Sequence, residues 1–159
     1  MQMTTTQPQL QQVALTFPMG DIVARYVKEN PTVASEAALH EKELKKYLFL
    51  CAKYPGQGWP MVTTLDELWH TFIIFTKEYH SFCQQLGVQY LHHQPFGGCE
   101  NMQEIQSAYS QFLVLYRQEF GEPPTAIWPR KLSSDCGTGC SGGGCSGIGC
   151  GSSCGSSCR

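Results

Sequence analysis

The chain has 159 residues, enough for one domain of ordinary size, with a formal net charge of −2 and only 15% charged residues. That balance lacks the basic footprint a nucleic-acid backbone requires, so no nucleic-acid partner is expected. The longest apolar runs, at residues 47–52 and 72–75, fall far short of a membrane span.

Residues 1–17 are rich in Gln and Thr and are expected to form a flexible N-terminus. They show no positive n-region and no apolar h-region, so no secretory signal is read there. The expected compartment is the cytoplasm, where thiols stay reduced. A helical domain is expected over residues 18–130.

Four helical stretches follow in order. The first runs over residues 21–28 and is stopped by Pro31. The second covers residues 32–54, with Ala37, Leu44, Leu48 and Cys51 on one face, and ends at Pro55-Gly56. His40 aligns with that face and reads as a core residue, as does Cys51.

The third stretch has the clearest pattern. Thr64 and Glu67 have capping-box spacing, in which hydroxyl and carboxylate satisfy the first free amides reciprocally. Leu65, Leu68, Phe72, Phe75, Tyr79, Phe82 and Leu86 then recur at intervals of three or four, predicting one straight helix that ends at Gly87. The fourth starts at Asn101, with Glu104 at the capping-box position. Its stripe is Ile105, Tyr109, Phe112, Tyr116 and Phe120, and Gly121 with Pro123-Pro124 ends it.

No segment shows period-2 alternation. The fold class read from these patterns is all-α, a small helical bundle of about four helices with an irregular 87–100 connection. Trp128-Pro129 is expected to fold back on the bundle.

Residues 131–159 form a Gly/Ser/Cys-rich tail, expected to be disordered. Six of the nine cysteines lie there: Cys136, Cys140, Cys145, Cys150, Cys154 and Cys158. Their spacing is looser than the knuckles of structural zinc sites. Thiolates on a Gly-rich chain could still wrap zinc or a softer ion such as Cu(I), but the metal must supply the ordering energy.

Within the helical domain, Asp66 and His70 are one turn apart on an ideal helix. A carboxylate beside an imidazole orients it, as a base or as a metal ligand; the plainer alternative is a solvated ion pair. Trp69 reads as structural. His80 and Cys83 are likewise one turn apart, and His92 and His93 follow the helix end closely enough to fold back beside them. Imidazole and thiolate together suit zinc, iron or copper. On a straight helix Cys83 stands about 20 Å from His70, so the two could not share an ion. Cys83 reads equally well as a small buried hydrophobe. Cys99, beside Gly97-Gly98, is a loop thiol with no visible partner.

The central run carries Trp69-His70, the Tyr79-x-x-Phe82-Cys83 step and the turn His92-His93-x-Pro95. Over roughly residues 60–130 it resembles the glycine-rich domain-containing protein family. The resemblance implies a helical domain followed by a Gly-rich region, and it implies no catalytic residue. The chain also lacks a phosphate loop, a nucleophile elbow and a His-Glu-x-x-His helix.

The expected function is therefore non-enzymatic: a helical domain with a Cys-rich metal-binding or redox-active tail, a metal carrier or sensor whose partner is a metal ion or a thiol protein. One alternative is that the tail is a substrate, like the core regions of microcin-type azole peptides, with the bundle as recognition domain. Another is a protein-interaction module that holds no metal.

Overall fold

The computed structural model describes residues 7–93 and 101–132. Among them are six α-helices, one short 3-10 turn and no strand. The helices are α1 (Gln7–Thr16), α2 (Gly20–Glu29), α3 (Ala37–Lys53), α4 (Thr63–Ile74), α5 (Thr76–Gln85) and α6 (Met102–Phe120), with the 3-10 turn Pro31–Val33 between α2 and α3. The all-helical reading holds, with six helices where four were expected. None of the described helices is long and apolar enough to cross a membrane. The expected tail from residue 133 onwards, with its six cysteines, and the Cys99 loop lie outside the described residues, whereas Leu132, placed in that tail, is buried.

The chain divides into two compact units. One comprises residues up to 57 together with 64–92; the other comprises residues 58–63 and those from 93 onwards.

In the first unit, α1 packs on α3 and α5, and α2 packs on α3. The expectation of a flexible stretch over residues 1–17 fails for Gln7–Thr16, which is helical. Gln is a good helix former, and Pro8 falls in the first turn, where its missing N–H costs nothing. Leu10, Val13, Ala14 and Phe17 have helical spacing; Ala14 and Phe17 are buried, the other two half-buried. The polar residues between them obscured this short stripe. Lys45 of α3 donates to the Leu15 carbonyl at 3.5 Å, reaching one of the carbonyls that the end of α1 leaves open.

The predicted third helix is two helices. The chain bends at Phe75, whose φ and ψ of −80° and 65° are not helical. The Phe75 amide bonds back to the Phe72 carbonyl at 3.0 Å, a tight i to i−3 turn, and the Tyr79 amide restarts the ladder on the Phe75 carbonyl at 2.8 Å. No Pro or Gly marks the break. Ile73, Ile74, Phe75 and Thr76 are β-branched or aromatic, so local helix preference is weak there.

Packing then decides. The Phe72 ring lies 4.9 Å from Tyr79 and 5.4 Å from Phe82. On a straight helix Phe72 and Phe82 would stand about 15 Å apart along the axis. Phe17 completes the cluster, 5.1 Å from Phe82 and 6.0 Å from Phe72.

Downstream, α5 ends as predicted at Gly87, whose φ is +74°. Its amide bonds the Gln84 carbonyl at 2.9 Å and the Val88 amide bonds the Cys83 carbonyl at 3.1 Å, the paired closure of a Schellman motif.

In the second unit the Asn101 side chain accepts from the Gln103 amide at 2.9 Å and caps α6, as read from sequence. Ile105, Tyr109, Phe112 and Tyr116 are buried, and Phe120 is half-buried. The segment after α6 does fold back. Trp128 packs 4.7 Å from Phe112, the Tyr109 hydroxyl donates to the Pro129 carbonyl at 2.7 Å, and Gln106 exchanges two hydrogen bonds with the Leu132 backbone. From the 58–63 segment, Trp59 meets the Phe112 ring at 5.7 Å.

The fate of Phe17 tests whether the N-terminal helix is docked. Phe17→Ala is expected to cost about 3–5 kcal/mol of stability. Urea unfolding checks this, and a change below about 0.5 kcal/mol would mean that the segment is not part of the core.

Candidate functional site

α4 presents Asp66 and His70 on one face, as helical spacing requires. The His70 Nδ1 stands 3.7 Å from the Asp66 Oδ2, with the imidazole 55% exposed and the carboxylate 22%. The pair is formed and water reaches it. Its distance is that of an ion pair rather than a tight hydrogen bond. It can orient an imidazole towards solvent, which suits a ligand or a proton acceptor.

The His80 and Cys83 pairing does not form. His80 is exposed, whereas Cys83 is fully buried. One turn of separation placed them near each other on the helical wheel, but the edge of the buried face runs between them. Burial pushes the Cys83 thiol up, partly offset by the Leu91 backbone and the Tyr79 hydroxyl. His92 is exposed and its ring lies 4.9 Å from Tyr90. Among the described residues, His80, Cys83 and His92 do not converge as a ligand set. His93 is half-buried and begins the second unit. The 20 Å separation of His70 from Cys83 assumed a straight helix and falls with the bend at Phe75.

What occupies the expected ligand position is a buried polar relay. The Trp69 indole N–H donates to the Tyr79 hydroxyl at 3.0 Å, and that hydroxyl donates to the Leu91 carbonyl at 2.5 Å. Tyr79 thus ties α4, α5 and the segment after α5 together. Burial raises its phenol far above the usual range. The bend makes this relay possible, since Trp69 and Tyr79 are ten residues apart. The sequence puts Tyr79 on the apolar stripe and reads Trp69 as structural, but carries no signal for their polar ends meeting.

Cys51, read as a core residue, is half-buried; its thiol is hydrogen-bonded with Tyr47, and burial pushes it up to about 12. Both described thiols are therefore protonated at neutral pH and poor nucleophiles or metal ligands. His40, also read as core, is buried, with its Nδ1 3.0 Å from the Tyr26 hydroxyl. Of the described groups read as candidates, only Asp66 with His70, His80 and His92 face solvent in the first unit.

Two outcomes follow. Tyr79→Phe removes the hydroxyl that the Trp69 N–H and the Leu91 carbonyl share and is expected to cost about 1–3 kcal/mol in urea unfolding. Alkylation by iodoacetamide under native conditions should spare Cys51 and Cys83, with peptide mass mapping locating the label; rapid native labelling of either would contradict their enclosure.

No curated protein and no solved structure matches this chain. The resemblance to the glycine-rich domain-containing family is not upheld: a different family model matches. The residues that carried it explain why. Trp69, Tyr79, Phe82 and Cys83 are all buried, and such aromatic stripes are what helical cores in general require. The matching family description carries no activity with it. Its model is described as UCP032817-like and spans residues 11–120, more than half of the chain, so the protein belongs to the UCP032817-like family.

Proposed function

We propose that this protein is a non-enzymatic helical body carrying a thiol arm that binds soft metal ions, and that it serves as a metal carrier or sensor. The carrying observation is the division of its cysteines. The two described thiols of the body, Cys51 and Cys83, are enclosed and held protonated by burial. Six others, from Cys136 to Cys158, stand among Gly and Ser with no apolar neighbour except Ile148. Thiolate chemistry therefore falls to the arm.

Thiolate ligands favour Zn²⁺, Cu(I) and iron, and their affinity grows as protons are released. A reducing compartment such as the cytoplasm keeps such thiols available. Glycine permits the backbone reversals that several thiolates around one ion demand. The exposed Asp66–His70 pair supports a secondary role for the body, as an imidazole donor near its surface. The arm's partner is then a metal ion or a thiol protein that exchanges one.

Replacing the six arm cysteines by Ser tests the reading. Reduced wild-type protein titrated with Cu(I) or with Co²⁺ as a zinc surrogate should develop a thiolate charge-transfer band; the sixfold variant should lose most of it. Equal stoichiometry in both proteins would overturn the proposal. Intact mass of protein from native cells adds a second arm, since loss of one water per modified residue would instead favour the substrate reading. His70→Ala is expected to leave the charge-transfer band in place, because imidazole does not produce it.

A further inference from the structure

One junction in the first unit sets a buried titratable ring between groups from α2 and α4. The Tyr26 hydroxyl of α2 lies 3.0 Å from the His40 Nδ1 of α3 and 3.2 Å from the Thr64 carbonyl in the first turn of α4. The other ring nitrogen of His40, Nε2, faces the Glu36 Oε2 at 3.6 Å. The first two contacts are hydrogen bonds and use one proton each; the third, at 3.6 Å, is an ion-pair distance and not a hydrogen bond. A neutral imidazole and a phenol together supply those two protons.

The Thr64 carbonyl can only accept, so joining α2 to α4 uses the phenol proton. Nδ1 must then donate to the Tyr26 oxygen, and Nε2 is left as a lone pair facing the Glu36 carboxylate. That mismatch is tolerable because Glu36 is 66% exposed and water solvates its charge. Protonating Nε2 would gain no hydrogen bond at that distance and would place a cation at a residue only 1% exposed, with a single exposed carboxylate as counter-charge.

We propose that the Tyr26–His40–Thr64 junction is an acid-sensitive clasp, closed while His40 is neutral and loosened when His40 takes a proton. The groups facing it are Tyr26 from α2, Glu36 from the turn before α3, and the Thr64 carbonyl with Glu67 from α4. Burial, together with the charges of Glu67 and Glu36, lifts the Tyr26 phenol to about 12, so the phenol keeps its proton throughout. Attraction to the exposed Glu36 is screened by water and offsets only part of the cost of a buried cation. Accordingly, burial lowers the His40 imidazole and Glu36 opposes this without overcoming it.

The sign follows from proton binding. An imidazole held below its ordinary value binds fewer protons in the folded chain than in the unfolded one. Its contribution to stability is complete above about pH 6.5 and is lost as pH falls from there through the lower folded value. Each unit between the two values multiplies the unfolding constant about tenfold.

Two measurements on the full chain test the clasp. Imidazole NMR should show His40 titrating at lower pH in the folded protein than in the urea-unfolded chain. Titration at the same pH or higher in the folded protein would overturn the proposal. His40→Gln keeps a hydrogen-bonding group but does not titrate. Between pH 7.5 and 5 the wild-type unfolding constant should rise about threefold or more beyond that of H40Q. Identical pH dependence of the two would also overturn it, and if H40Q does not fold the NMR titration of the wild type decides alone.

Discussion

Phe72 is the residue on which the first unit depends. Its ring touches Tyr79 and Phe82 across the bend and Phe17 from the end of α1. Those contacts bring together side chains that a continuous helix would keep apart. A fully buried aromatic ring contributes roughly 1.5–3 kcal/mol through burial, with more from edge-to-face geometry. That is enough to outweigh one broken helical turn in a stretch where Ile73, Ile74 and Thr76 already weaken the helix.

One buried polar network of that unit is arranged around the same bend. Once α5 turns back, the Trp69 indole finds the Tyr79 hydroxyl, and that hydroxyl finds the Leu91 carbonyl. Each group would be costly to bury alone. Together they close without leftover donors on the tyrosine. The Tyr26 junction differs in kind, because its partner His40 can change its proton count at near-neutral pH while a phenol or indole cannot. Two buried polar motifs in one small unit thus divide between a fixed tie and a titratable one.

The chemistry of the cysteines follows from the same burial. Enclosure that makes Cys83 a good core residue makes it a poor thiolate, and Cys51 beside Tyr47 shares that fate. His80, one turn from Cys83, is left on the outer surface. The helical wheel placed these two residues together because it measures angle alone. Ligation also needs both side chains on the same side of the solvent boundary, which the wheel does not draw.

Much of the fold was legible in the residues themselves. Gly87 and Asn101 were readable as a stop and a start because capping is chemistry among near neighbours. The buried stripe of α6 and the return of Trp128 onto it were readable for a related reason, since a 3.6-residue period reports one face directly. The sequence alone also determined that six of the nine cysteines are embedded in Gly and Ser. Only the tertiary structure decided that residues 64–86 form two helices and that Gln7–Thr16 is docked. It alone decided that His80 and Cys83 part company and that Tyr26 meets His40 beside Thr64. Those outcomes turn on contacts between residues far apart in the chain, where a small local preference yields to the burial of large aromatic rings.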